Sequence, residues 1–449
     1  MHAHALCKNI RKVWLLSMKT AAVIAEYNPF HNGHLYQFNT IKNILGADRI
    51  IVIMSGNFTQ RGLPAIVDKY SRCKMALENG ADVVFELPVY FATGSAEYFA
   101  QGAISLIDKL GVVDILHFGS EEGDINTLVS CAQILSKEPD TYKNNLNMYL
   151  KNGLSFPSAQ AKALAIELSG IDKNVNIENI ISSLSMPNNT LGIEYIKALL
   201  QRNSTITPIT LKREGNQYHE LHLSDEQFAS ANAIRTFLSE LAANSNDNPN
   251  TLESDSLNIS AIQNQMPQRV YDYFIKQSRQ EFLFSDDFST VLYYKLLSEL
   301  QINGNLEQYY DISTQINDII KKNVSAFTSF SDFCLACKSK NLTYNRIHRC
   351  LTHVLLDLKK EQIQEYKAND YTSYARLLGF TENGKEILKA IKSHSSIPII
   401  TKLTKAEKSL DNLSSLRADI YASQLYYMIQ GQKYGHVAQN EYTQEIIRC

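Results

Sequence analysis

No stretch of this chain is apolar for long enough to cross a membrane, which takes about 20 residues. The run Val13-Trp14-Leu15-Leu16 follows Lys8, Arg11 and Lys12 and is too short for a signal-peptide core. Met18 directly precedes the first strand-like segment, so residues 1–17 read as an extension outside the folded domain. Cysteine is sparse and odd in number, 7 in 449 residues, which excludes a disulfide framework and points to a reducing, cytoplasmic setting. Cys334 and Cys337 form one C-x-x-C, but no second pair or His-x-His partner stands at zinc spacing. No residue is therefore assigned to a metal. Net charge is nearly absent at −2, which removes any global nucleic-acid signal.

That balance hides an asymmetry. Residues 19–150 carry 10 Lys+Arg against 14 Asp+Glu, while residues 321–410 carry 16 against 8, a net of +8. The later segment is either a solvated basic surface or one that meets a polyanion. Apolar residues make up 44% of the chain and charged residues 20%, enough to bury full cores. The length allows two to four domains.

The most informative stretch is Ile24-Ala25-Glu26-Tyr27-Asn28-Pro29-Phe30-His31-Asn32-Gly33-His34-Leu35-Tyr36-Gln37. An apolar run from Ala21 leads through Asn-Pro into His-x-Gly-His. Tyr36, Phe38, Ile41, Ile44 and Leu45 then recur at helical spacing. This reads as strand, turn and helix, with both histidines where the helix begins. Unpaired N–H groups and partial positive charge make a helix N-terminus a seat for phosphate. Two imidazoles there can donate to phosphoryl oxygens, and Gly33 lets backbone approach a ligand without a Cβ. An isolated four-residue motif of this kind is more readily a surface turn; its place in a first βα unit favours a nucleotide site.

Further strands are predicted at 49–54, 82–88, 114–118 and 205–211, alternating with helices. This predicts an α/β fold with a Rossmann-like, doubly wound parallel sheet of nucleotidyltransferase type. Pro208 marks the last strand as an edge or a strand start. Polar loops follow each strand at its carboxyl end, where ligands bind in such sheets. The stretch 241–265 is rich in Asn, Ser and Asp and reads as a flexible linker. Beyond it the pattern is mostly helical. The expected organisation is a nucleotide-binding domain at 18–240 and a helical domain at 266–449.

Several spaced motifs carry a family resemblance. They are Glu26 to His34, Met54-Ser55-Gly56-Asn57-Phe58, Gln60-Arg61-Gly62, Phe118-Gly119-Ser120-Glu121, Pro187-Asn188-Asn189-Thr190-Leu191-Gly192, Lys212-Arg213-Glu214-Gly215 and Ser230 to Arg235. Together they resemble the bacterial tRNA(Met) cytidine acetate ligase family, within the nucleotidyltransferase superfamily that has the H-x-G-H signature. The resemblance is dense over the first 240 residues and looser beyond them. It implies a ligase that activates acetate with ATP to acetyl-adenylate and pyrophosphate. The acetyl group then passes to the wobble cytidine of elongator tRNA(Met), giving N4-acetylcytidine. It implies ATP contacts from Ile24 through Gln37 and from Gly119, Asn188 and Arg213. Ser230 and Arg235 look like the superfamily's second phosphate-binding motif, although Ala229, Ala231 and Asn232 depart from its usual pattern. The lack of a lysine-rich K-M-S-K-S loop argues against an aminoacyl-tRNA synthetase.

Acyl adenylation needs positioning and charge stabilisation, not a protein nucleophile. His31 and His34 fit as the catalytic pair. Arg213 and Arg235 can clamp phosphates, or stand in ordinary ion pairs. Asn188 would by itself be a helix N-cap. Arg61, Lys69, Arg346, Arg349, Lys359 and Lys360 are the candidate tRNA contacts; for Lys69 a solvated helix face is an equal alternative. Mg²⁺ is the ion expected alongside ATP, though no carboxylate cluster marks a site for it. Two other classes stay open. One is a small-molecule nucleotidyltransferase of the pantetheine-phosphate or nicotinate-mononucleotide adenylyltransferase kind. The other is a non-catalytic RNA-binding module.

Overall fold

The computed structural model describes residues 18–171, 177–184, 186–213, 229–245, 259–277 and 282–449. The extension at 1–17, the motif end at 214–215 and the helix start expected at 224–226 lie outside the described residues.

Five parallel strands build the sheet around the opening motif. They are β1 (Thr20–Ala25), β2 (Arg49–Ser55), β3 (Val83–Leu87), β4 (Ile115–Ser120) and β5 (Thr207–Lys212). Their order is β5-β4-β1-β2-β3, with β1 paired to β2 from Thr20–Arg49 through Ala25–Met54. β2 shows why these runs become inner strands. Ile51 and Ile53 face one core and Ile50, Val52 and Met54 face the other, all fully buried. A strand covered on both faces needs an unbroken apolar run. Each such side chain contributes about 1.5–3 kcal/mol of burial. β5, with Pro208, closes one edge of the sheet.

The helices between strands cover both faces. α1 (Asn32–Asn43) turns Phe38 and Ile41 into one core. α2 (Lys69–Glu78) starts at Asp68, whose carboxylate accepts from the N–H groups of Tyr70 and Ser71. α3 (Ala96–Leu110) follows β3, and α4 (Ile125–Lys137) follows β4. Helices at Asp140–Lys151, Phe156–Ile171 and Ile177–Leu184 lead to α5 (Pro187–Gln201), which lies along α3 and α4. After β5 comes α6 (Ala231–Ser245). Strand order reverses between β1 and β4, and the crevice outside their carboxyl ends is the natural ligand site.

The C-terminal region is mainly helical, including α7 (Ser289–Asn303), α8 (Tyr344–Leu355) and α9 (Ser414–Tyr434). It also returns to the sheet. β6 (Ala375–Phe380) lies antiparallel to β3, and β7 (Ile399–Ile400) and β8 (Ile447–Arg448) pair with β6. Such short apolar runs cannot be told from buried helix by periodicity, so the sequence reading did not anticipate them. Of the stretch read as a linker, Leu241 to Ser245 end α6 and Ser260–Gln265 form a 3₁₀ turn. Its centre, 246–258, lies outside the described residues.

Candidate active site

The chain leaves β1 through Tyr27, which takes the left-handed φ of 47°, and a cis Asn28–Pro29 bond. A bulky residue in that region is uncommon and clusters at functional sites. His31 then caps α1. Its Nδ1 accepts the Gly33 N–H at 3.1 Å, and its own N–H donates to Nδ1 of His34 at 3.2 Å. The two rings stack with centroids 3.8 Å apart, and Tyr27 meets the His34 ring edge-on at 4.8 Å. With both Nδ1 atoms accepting, each neutral ring carries its proton on Nε2. Burial, then the charge of Arg213 and Arg235, lowers His31 to about 3. Burial also pushes His34 far down, helped by His31 and Arg213. The pair is therefore a set of two neutral donors.

Gly33, which lines the smaller of the two spaces beside the pair, also makes room for the ring arrangement itself. A Cβ on it would lie 2.9 Å from Cε1 of His31. The missing side chain makes room for the imidazole that accepts its N–H.

Two connected features surround the pair. A cleft of about 340 Å³ is lined by Ile24, Ala25, Glu26, Tyr27, Asn28, His34, Gln37, Gln60, Arg61, Gly119, Asn188, Arg213 and Arg235. Phe99, Phe118, Leu191 and Tyr195 give it an apolar wall. A smaller cavity of about 80 Å³ is lined by His31, Gly33, His34, Tyr36, Gln37, Gly119, Arg213 and Ser230. The loops after β1, β2, β4 and β5 thus meet, as their carboxyl-end positions required. Ser230 accepts the Ala233 N–H at 3.1 Å and so caps α6 beside the smaller cavity. Arg235 donates Nη1 to the Asn28 carbonyl at 2.8 Å. Burial lowers it to about 10, against the attraction of Glu26. Arg213 is likewise lowered by burial, against Glu121. Both guanidiniums stay charged at neutral pH. Gln37 donates to Nδ1 and the carbonyl of His117 on β4, each at 3.2 Å.

Some residues of the opening segment line neither space. Phe30 is fully buried, with its ring 5.3 Å from that of His34. Pro29 is buried, Leu35 packs on the core, and Asn32 donates to the Asn264 carbonyl at 2.7 Å. These four shape the turn.

Asn188 is not the N-cap of α5; that position falls on Met186. The carboxylate of Glu121, after β4, accepts the Asn188 amide at 2.7 Å and the Asn189 N–H at 2.9 Å. Asn189 in turn accepts the N–H groups of Glu121 and Glu122 at 2.9 and 3.0 Å. This reciprocal lock sets the cleft's edge. Both residues sit in quoted motifs, but their pairing spans 68 positions and no local pattern shows it.

Among the candidate RNA contacts, Lys69 needs correction. Its ammonium is fully buried, 2.8 Å from Glu86 and 2.7 Å from Glu441. It ties α2 to β3 and to the 3₁₀ turn at Glu441–Thr443 and cannot meet RNA. Arg72, on the same helix, is fully buried too. It donates to the carbonyls of Val67 at 3.0 Å, Glu26 at 2.6 Å and Ser55 at 3.1 Å, and also to Gly56. Arg349 is mostly buried against Asp311. Arg346 is half-exposed with Asp311 at 3.7 Å. Lys359 sits 3.7 Å over the Tyr309 ring, and Lys360 is exposed. Arg61 lines the cleft on a loop backed by α8, where Thr352 donates to the Gly62 carbonyl at 2.8 Å.

A parallel α/β sheet with two neutral histidines at a helix start, facing two arginines, is the architecture of nucleotidyl transfer. The HIGH Nucleotidyl Transferase family matches residues 18–441. A tRNA(Met) cytidine acetate ligase from Thermoanaerobacter sp. (strain X514) is 39% identical over 409 residues, spanning 91% of this chain and 95% of its own. One from Clostridium novyi (strain NT) is 37% identical, spanning 92% and 96%. The crystal structure of Thermotoga maritima TmcAL bound with alpha-thio ATP superposes with a TM-score of 0.84 at 31% identity, covering 96% of this chain and 99% of that one. The chain belongs to the HIGH nucleotidyl transferases and, within them, to the tRNA(Met) cytidine acetate ligase family.

Proposed function

We propose that this protein binds ATP, activates acetate as acetyl-adenylate with release of pyrophosphate, and acetylates the wobble cytidine of elongator tRNA(Met) to N4-acetylcytidine. The observation that carries the reading is the stacked His31–His34 pair at the start of α1, facing Arg213. Phosphates enter the smaller cavity, at the starts of α1 and α6, beside Ser230. His31 and His34 donate through Nε2 to oxygens of the α-phosphate as acetate attacks the phosphorus in line. Charge gathers on those oxygens in the transition state, so preorganised donors there lower the barrier. Arg213 and Arg235 offset the charge of the leaving pyrophosphate. Gly119 and Asn188 border the nucleoside. No cluster of His, Cys, Asp or Glu among the described residues is placed to hold a metal ion. Mg²⁺ would enter on the phosphates of ATP, as it commonly does.

The region from 266 onward, including Arg346, Lys359 and Lys360, is the proposed tRNA-binding part. Phosphate contacts would supply most of its affinity. No helix among the described residues is long and apolar enough to cross a membrane. The proposed setting is the cytoplasm, where acetate, ATP and tRNA meet.

Incubation with ATP, labelled acetate and bulk tRNA tests the reading. Labelled N4-acetylcytidine that requires both ATP and acetate is expected. Pyrophosphate release with a nucleotidylated small molecule, and no label in RNA, would favour the small-molecule transferase instead.

A further inference from the structure

We propose that Glu26 accepts the proton that the cytosine amine loses when the acetyl group is transferred, a role that rests on the functional reading above. The two half-reactions differ in what they ask of a base. Acetate attacks phosphorus as an anion and gives up no proton. In the second step the exocyclic N4 attacks the acetyl carbonyl. A C–N bond forms, the C–O bond to the adenylate breaks, and AMP leaves with that electron pair. One N4 proton must go to an acceptor and then to water.

Among the described residues, Glu26 is the one carboxylate that lines the cleft. It is held in place at both ends. Its Oε1 accepts the Gln60 N–H at 2.8 Å, and its backbone carbonyl accepts from Arg72 at 2.6 Å. It lines the larger space, with the apolar wall that includes Phe99 and Tyr195, and not the small cavity beside His31 and Ser230. The carboxylate thereby lines the wider space, which suits a flat base, and there it faces the charges of Arg61 and Arg235. Gln60, which holds it, belongs to the loop whose Gly62 carbonyl is bonded to Thr352 of α8. The carboxylate thus stands where the basic helical region meets the cleft. A positioned general base of this kind contributes typically about 10²–10⁴-fold.

Glu26→Gln keeps the oxygen that accepts from Gln60 and removes the base. The test compares acetate-dependent ATP–pyrophosphate exchange with single-turnover transfer from acetyl-adenylate to tRNA, in wild type and variant. Transfer is expected to fall about 10²–10⁴-fold more than exchange. The limb in the wild-type transfer–pH profile that reports the base should vanish, and formate should partly restore transfer in Glu26→Ala. Equal losses in the two steps, or undiminished transfer, would overturn the assignment. A wild-type protein that makes acetyl-adenylate and transfers nothing to tRNA would overturn the functional reading, and this one with it. Melting temperatures with and without ATP show whether each variant is folded.

Discussion

The backbone N–H of His31 donates to Nδ1 of His34, 3.2 Å away. One histidine therefore fixes the tautomer of the other, and the proposed catalytic pair is the first and last residue of the four that cap the helix. Losing His34 should remove one preorganised donor. His34→Ala is expected to lower acetate-dependent ATP–pyrophosphate exchange by about 10²–10³-fold, the usual effect of deleting one such donor. His34→Gln should recover little, because its amide is not held by the His31 N–H in ring geometry. Wild-type exchange in His34→Ala would remove the phosphate role from this residue.

Gly33→Ala separates chemistry from stability. The added Cβ would sit 2.9 Å from Cε1 and 3.1 Å from Nδ1 of His31, so the imidazole must move. Alanine is the better helix former by up to about 1 kcal/mol. The variant should melt no lower than wild type and yet lose at least about tenfold in exchange, the scale of a donor shifted out of place. A fully active, equally stable variant would mean that the ring position is not needed.

The opening unit was legible because its signals agree. A doubly buried apolar run, a turn and a helical repeat coincide with H-x-G-H, and strand order placed the loops after β1, β2 and β4 in one crevice. What stayed hidden depends on partners far along the chain. Lys69 reads as an exposed helix cation, yet Glu86 and Glu441, 17 and 372 positions away, bury it. Asn188 reads as a cap until Glu121, just after β4, is seen to accept its amide and the Asn189 N–H. Arg72 gives no sign in sequence that it gathers four carbonyls under the cleft. The polyanion reading of the basic C-terminal region can apply only to its exposed residues, and burial, not charge count, decides which these are.

That distinction can be measured. Lys360→Ala should weaken tRNA binding and reduce the slope of log K against log salt by about 0.7–0.9, one phosphate contact. Lys69→Met should leave the slope of the folded protein untouched and lower its stability by about 3–5 kcal/mol, since two buried carboxylates would then share Arg376 alone. Denaturant melts and salt-titrated filter binding on both variants give the comparison. A salt slope that changes in Lys69→Met would put that ammonium back on the RNA surface.

Acid should unfold this protein through its histidines. Burial holds His31 and His348 at about 3 and His117 and His353 at about 4, with His34 also far below its usual value. In the unfolded chain each titrates near 6.5. Between pH 6.5 and about 4 the unfolded state therefore binds more protons than the folded one. Stability is complete above pH 6.5 and falls as pH drops through that window, by up to about 1.4 kcal/mol per pH unit for each histidine. Melting temperature should fall steadily from pH 6.5 to 4.5. In His31→Gln the decline should be shallower by one histidine's share, even though the cap is weakened at every pH. ATP opposes the trend at two of the sites, since phosphates beside His31 and His34 favour their protonated forms. A melting temperature that is level across this range would show that these imidazoles are not held neutral by burial.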